Sequence, residues 1–277
     1  MAYAPPIPPR PQGWTPTPPT LPSRPQIYQP PVGTTWQYVL GHRVRLDHTI
    51  PQAQVWIIDL FDNTAADVAE LHRQGRKVIA YFSAGSYENW RPDASRFASS
   101  DLGRKLDDWD GEKWVRTGSS TVREIMTARM DLAVQKGFDG IDPDNVDGYD
   151  NKNGLKLTKG DAVDYVLFLA REAHARGLAV GLKNAGDIVE EVVGQVQFCV
   201  QEQCAQYGDE EDYLPFVRLG KPVFHVEYPK GEDTDDPKCN NERPATEKQV
   251  RKCMKAKEMG YSTIIKNIKL DQWIQIV

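Results

Sequence analysis

The chain has 277 residues, with 34 lysines and arginines against 39 aspartates and glutamates, for a formal net charge of -5. A hydrophobic share of 40% and a charged share of 26% supply a sizeable core and exclude wholesale disorder. The acidic balance argues against a nucleic-acid backbone as partner; no apolar run approaches the ~20 residues of a membrane span, and no positive-then-apolar signal peptide opens the chain.

Residues 1–33 hold twelve of the 20 prolines. Proline fixes φ and removes a backbone donor, so this stretch reads as a semi-extended linker, and the folded domain is expected over residues 34–277. From Trp36 onward one unit recurs: an amphipathic helix, a glycine at its end, then a short β-branched run. The turns fall at Gly75, Gly137, Gly177, Gly220 and Gly260. Thr121-Val-Arg-Glu124 fits a capping box opening one of these helices. Candidate strands lie at Trp36–Leu40, Val55–Asp59, Val78–Phe82, Phe138–Asp142, Leu178–Leu182, Gln197–Gln201, Val223–Glu227 and Thr263–Lys266. Eight β/α units in ~240 residues predict an α/β fold, a closed (β/α)8 TIM barrel in a single domain. A doubly wound open sheet is the alternative, but no GxGxxG or GxxxxGK[ST] follows any strand.

In such a barrel the strand C-termini build the active face. Those positions hold Asp59, Ser83, Asp142, Asp144, Lys183, Asn184, Glu202, Glu227, Lys266 and Asn267. One of them alone would read as a helix cap; Asp59 and Asp62 could cap the helix around Ala65–Gln74. All of them at one end of a barrel point to a site. The fourth candidate strand is densest, with Asp139, Asp142, Asp144 and Asp147 among ten residues. A calcium loop would need a preceding helix and a later Glu, whereas here a strand precedes and Pro143 interrupts. Pro143 keeps Asp142 extended and helps aim Asp144 over the barrel mouth, while Asp139 is assigned to structure.

Paired carboxylates without a metal motif indicate glycoside hydrolysis, in which one attacks the anomeric carbon and a protonated second donates to the leaving oxygen. Asp144 with Glu202 or Glu227 can supply the pair, and the apolar Phe198-Cys-Val200 before Glu202 would desolvate it. Tyr81, Tyr87, Trp90, Tyr149, Tyr207 and Tyr228 lie on or just beyond strand ends, where aromatic faces stack on sugars. No histidine sits in an HExxH and no GxSxG elbow occurs; His72 and His174 suit helix C-termini, and His225 reads as an interior residue able to orient a neighbouring carboxylate. Cys199, Cys204, Cys239 and Cys253 form no CxxC, which argues against zinc. Their even number permits disulfides; Cys239 and Cys253 are the expected pair, and three full pairings stay open.

Across residues 34–277 the segments WQYVL, WIIDLFD, AYFSAGSYENWRPD, GFDGIDPDNVDGY, GLKNA, QEQCAQY and PVFHVEYP occur in this order. Together they resemble glycoside hydrolase family 114, the fungal endo-α-1,4-polygalactosaminidases. The resemblance implies a (β/α)8 barrel that cleaves α-1,4-linked galactosamine in galactosaminogalactan without a cofactor. It also implies Asp144 as nucleophile, Glu202 as acid/base, and a cleft lined by Asp59, Tyr81, Lys183, Asn184 and Glu227, with secretion typical of members. Tyr228 is expected to add a sugar contact. Asp142, Asp144, Asp147 and Asp150 would attract the ammonium groups of deacetylated units. The expected partner is therefore a cationic or partly deacetylated galactosamine polysaccharide, with no nucleic acid or metal, bound by a monomer in a retaining reaction. The competing readings are a non-catalytic carbohydrate-binding barrel and an aldolase-type barrel using Lys183 or Lys266 as Schiff-base nucleophile.

Overall fold

The computed structural model describes residues 26–47, 53–107 and 109–277; most of the proline-rich leader, residues 1–25, lies outside the described residues. The described end of the leader lies against the barrel: Ile27 and Tyr28 pack on the interior cluster, and the Gln29 side-chain amide donates to the Gln197 carbonyl at 2.7 Å.

The barrel strands are β1 (Trp36–Val39), β2 (Val55–Asp59) and β3 (Lys77–Ser83), followed after an insertion by β7 (Gly140–Asp144), β8 (Ala179–Lys183), β9 (Phe198–Glu202), β10 (Val223–Glu227) and β11 (Ser262–Ile265). All eight are parallel and adjacent in chain order. Each coincides with an expected strand to within two residues. The helices that return the chain include α1 (Ala65–Arg73), α2 (Ser120–Lys136), α3 (Lys159–Ala175) and, near the end, α7 (Glu247–Glu258). The five turn glycines all have positive φ, from 71° at Gly220 to 92° at Gly260, the conformation that favours glycine at a helix end.

Capping differs from expectation at one helix. Thr64–Asp67, Thr158–Asp161 and Thr246–Gln249 form capping boxes. The box expected at Thr121–Glu124 does not form: α2 starts two residues earlier, at Ser120, and the Ser119 hydroxyl before it donates to Asp101 at 2.7 Å instead. Thr64, not Asp59 or Asp62, caps α1.

Strand alternation sorts the apolar residues into two cores. Val39, Trp56, Ile58, Val78, Ile141, Val180 and Cys199 face outward to the helices, while Trp36, Tyr38, Val55, Ile57, Ile79, Phe198, Val200, Phe224, Val226 and Ile264 fill the barrel. The interior is tight: a Cβ on Gly181 would meet the Phe198 ring at 2.3 Å. Between β11 and β1 no backbone ladder forms among the described residues. The seam is closed by the Trp36 indole donating to the Ser262 carbonyl at 2.7 Å, and by the Leu40 and Gly41 amides donating to the Leu270 carbonyl. The short β12 (Gln275–Ile276) pairs antiparallel with β11.

One unit was not anticipated. Between β3 and α2 an arm of three short antiparallel strands, β4 (Ser86–Glu88), β5 (Leu102–Lys105) and β6 (Glu112–Val115), rises beside the barrel mouth. Two buried arginines fasten it. Arg91 pairs with Asp59 and Glu88, at 2.7 and 2.8 Å, and Arg129 on α2 pairs with Asp93 at 2.8 Å while donating to the Ser83 carbonyl at 2.7 Å.

No disulfide forms among the four cysteines, including the expected Cys239–Cys253 pair. Cys253 turns inward from α7 onto Ala245 and Ile265, and the Cys239 thiol donates to the Lys230 carbonyl at 2.7 Å. Among the described residues, no helix is long and apolar enough to cross a membrane.

Candidate active site

At the C-terminal ends of β7, β8 and β9 three inward side chains meet. The Lys183 ammonium lies 3.0 Å from Asp144 Oδ1 and 2.6 Å from Glu202 Oε2, so one buried cation bridges the two carboxylates. The Lys183 side chain is 2% exposed, against 16% for Asp144 and 22% for Glu202, so the carboxylates face the cleft and the lysine lies beneath them. Burial alone would discharge Lys183; Asp144 and Glu202 reverse that and hold its pKa well above the ordinary lysine value.

Each carboxylate is oriented by further donors. Asp144 accepts from the Tyr81 hydroxyl at 2.8 Å and from the Asn145 backbone amide at 2.7 Å. Glu202 accepts from the Tyr228 hydroxyl, and its own amide donates to Asn184 Oδ1 at 2.9 Å. The residue after each of these strands has left-handed backbone: Asn145 at φ 61°, Asn184 at 48° and Gln203 at 63°. Strained backbone of this kind persists where surrounding contacts over-determine it. Here the contacts include the Ala84 and Gly85 amides on the Asp144 carbonyl and the Gln203 amide on the Val226 carbonyl. Gly85 permits the first, since a Cβ there would lie 1.6 Å from the Asn145 carbonyl oxygen.

The remaining expected residues divide by depth. Tyr81, Lys183 and Tyr228 line the main cleft with Asp144 and Glu202, and Asp147 and Asn184 line its continuation beyond Glu202. Asp59 borders the cleft, but its carboxylate is spent on Arg91 and on the Phe61 and Asp62 amides. Asp142 does not line the cleft. It is fully buried below Asp144, accepts from the Tyr38 hydroxyl at 3.4 Å, and its Oδ1 has no hydrogen-bond partner among the described residues. Glu227 does not reach the cleft either, and so is not placed to serve as the acid. It points outward from β10, 3% exposed, and accepts from His225 and from the Ala205 amide, both at 2.8 Å. His225 does orient a carboxylate, that of Glu227, and Glu227 in turn fixes the turn after Glu202. The surroundings of Glu202 also differ from the apolar pocket expected, because it contacts the Lys183 ammonium and the Tyr228 hydroxyl.

Burial pushes the Asp142 carboxyl from 3.8 up to about 8; Lys183 opposes the rise, while Asp144 and Glu202 add to it. The folded state therefore keeps a proton that the unfolded chain releases near pH 4. Between about pH 4 and about pH 8 this group makes stability fall as pH rises, by up to about 1.4 kcal/mol per pH unit. Asp142→Asn is expected to flatten that slope; urea midpoints at pH 5 and pH 8 would check it, and an unchanged difference would contradict the assignment.

The main cleft has a volume of ≈ 560 Å³ and is walled on the arm side by Glu88, Trp90, Arg91, Trp109 and Glu112. Of these only Trp90 was singled out in the sequence. Beyond Glu202 a second, polar cavity of ≈ 640 Å³ continues the groove past Asp147, Tyr149, Asp187, Tyr207, Asp209 and Asp212. Trp90, Trp109 and Tyr207 are 53%, 59% and 69% exposed, so their faces are open to ligand. Away from the cleft, Cys204, His225 and Glu227 bring metal-type ligand atoms within 4.8 Å of one another. Both His225 nitrogens are engaged, by Thr263 and by Glu227, and the Glu227 oxygen already accepts two donors, so these residues fit a scaffold better than a metal centre.

The profile of Glycoside-hydrolase family GH114 matches residues 17–277. The structure is similar to the crystal structure of Aspergillus fumigatus Ega3 in complex with galactosamine, with TM-score 0.86, 50% identity, and coverage of 91% of this chain and 98% of that one. It is similar in fold to the glycoside hydrolase domain of PelA from Pseudomonas aeruginosa, with TM-score 0.68, 13% identity, and coverage of 88% and 98%. An uncharacterized protein of Deinococcus radiodurans is 27% identical over 250 residues, 77% of this chain and 79% of its own length.

Proposed function

The chain belongs to glycoside hydrolase family GH114, and from that premise we propose that it is a secreted, endo-acting enzyme cleaving α-1,4-linked galactosamine with retention, Asp144 being the nucleophile and Glu202 the acid/base. The observation that carries this reading is the single ammonium of Lys183 lying 3.0 Å from one carboxylate and 2.6 Å from the other. Those two contacts cap the gap between the facing oxygens just above the ~5–5.5 Å separation of retaining glycosidases and below the ~6.5–9.5 Å of inverting ones. Attack by Asp144 on the anomeric carbon forms a glycosyl-enzyme while Glu202 protonates the departing oxygen. Glu202 then deprotonates the water that releases the sugar, recovering its proton. As Asp144 loses its charge to the sugar, Tyr81 and Lys183 remain to orient it.

Cavities on both sides of Glu202 support cutting within a chain rather than at its end, since sugar units are accommodated on either flank of the linkage. Galactosamine in the Ega3 complex supports the substrate class. The second cavity carries Asp147, Asp187, Asp209 and Asp212 on its walls, a field suited to a polycation. Reducing ends should therefore appear faster from partly deacetylated than from fully N-acetylated polymer, and the difference should shrink as ionic strength rises and the Debye length shortens. Equal rates without a salt effect would contradict the reading. Binding of the polymer with no reducing ends released would favour a non-catalytic barrel.

A further inference from the structure

A side cavity of ≈ 140 Å³ opens beside the catalytic pair, with Tyr81, Trp109, Glu112, Asp144, Asp147 and Glu202 among its nine lining residues. Four of the nine are carboxylic acids, and no lysine, arginine or histidine lines it among the described residues. Lys183, behind Asp144 and Glu202, supplies one positive charge to that pair. Glu112 and Asp147 form no ion pair among the described residues. Glu112 comes from β6 of the arm and is 7% exposed. Its Oε2 accepts from the Ser86 hydroxyl at 2.6 Å, and its Oε1 has no hydrogen-bond partner among the described residues. Keeping a buried carboxyl beside a half-buried one ionised without a counter-cation is costly unless a ligand brings the charge. The cavity has several times the ~30 Å³ share of one water, so it discriminates by charge rather than by excluding bulk.

We propose that this cavity, with Glu112 as its principal carboxyl, receives the C2 ammonium of the galactosamine unit held at Asp144 and so selects deacetylated sugar at the point of cleavage. The inference rests on the function proposed above and adds a specificity-determining residue to it. Burial raises Glu112 to about 7 and Asp147 to about 6, with nearby carboxylates adding to both, so each is poised to ionise when a cation arrives. Arg91 acts on Glu112, and Lys183 on Asp147, in the opposite sense without reversing the shift. An acetamido group in the same place would leave Glu112 without its cation.

The test compares kcat/KM on deacetylated and N-acetylated α-1,4-galactosamine oligomers for wild type, Glu112→Gln and Glu112→Asp. Glu112→Gln should lower kcat/KM on the deacetylated oligomer by about tenfold or more, the worth of a hydrogen bond to a charged group, mainly through KM. It should leave the N-acetylated oligomer unaffected or improved, and Glu112→Asp should recover part of the loss. A ratio between the two substrates equal to that of wild type would overturn the proposal. Should Glu112→Gln unfold through its Ser86 bond, Asp147→Asn in the same cavity reads the same ratio, and an unchanged ratio there overturns the proposal equally. If wild type cleaves neither oligomer, the parent reading fails, and calorimetric titration with galactosamine against N-acetylgalactosamine reads the cavity directly. Tighter binding of galactosamine that Glu112→Gln abolishes supports the proposal; equal binding of the two sugars overturns it.

Discussion

Asp144→Asn and Glu202→Gln are each expected to lower turnover of a galactosamine polymer about a thousandfold or more while leaving the fold intact. Both substitutions keep the side-chain shape: at 144 the amide oxygen can still accept from the Asn145 amide while its NH2 donates to the Tyr81 hydroxyl, and at 202 the amide oxygen can still accept from Tyr228. What is lost differs. An amide at 144 cannot form the glycosyl ester, so every substrate suffers. An amide at 202 cannot protonate the leaving oxygen, so substrates with good leaving groups, such as aryl glycosides, should still enter the first step. Steady-state rates on polymer and on an aryl galactosaminide would separate the two roles. Glu227→Gln, which touches His225 and the turn after Glu202, should lose far less. An aryl glycoside that remains fully reactive with Asp144→Asn would reverse the assignment.

Lys183→Met is expected to act on stability and on turnover together. It removes the cation from between two carboxylates and leaves like charges facing across a partly closed cleft. Breaking a buried pair from one side costs about 3–5 kcal/mol, and the lower end applies because both partners open toward solvent. Without the ammonium nothing pins the two carboxyl groups at one separation, so the pair splays and kcat falls. Denaturant titration together with kcat on polymer checks both effects. A variant with wild-type stability and wild-type kcat would show that the ammonium is a bystander.

Most of the barrel was legible because five helices advertise their ends with a glycine at positive φ and a strand follows each at once, as at Gly75 before Lys77 and Gly177 before Ala179. The C-terminal ends of those strands were legible for the same reason. Which strand-end acids reach the cleft depends on parity. Val200 and Glu202 face inward, as do Val226 and Tyr228, so Glu227 falls on the helix side and belongs to the scaffold. That alternation was present in the sequence. Asp142 has the right parity but sits one layer below Asp144, a matter of depth that strand pattern does not report. The arm was missed because its strands are three or four residues long and interrupt the β/α repeat, which hid Glu88, Arg91, Trp109 and Glu112. The long interval between Ser83 and Ser120 without a helix was the available signal.

The central claim is that Asp144 and Glu202 flank a single linkage in the roles assigned. Its most direct test is intact-protein and peptide mass spectrometry of Glu202→Gln incubated with an activated galactosaminide. Without a base to activate water, the enzyme should accumulate one galactosaminyl unit on the peptide containing Asp144. Release of product with inverted configuration and no adduct, or an adduct on any other residue, would contradict the account.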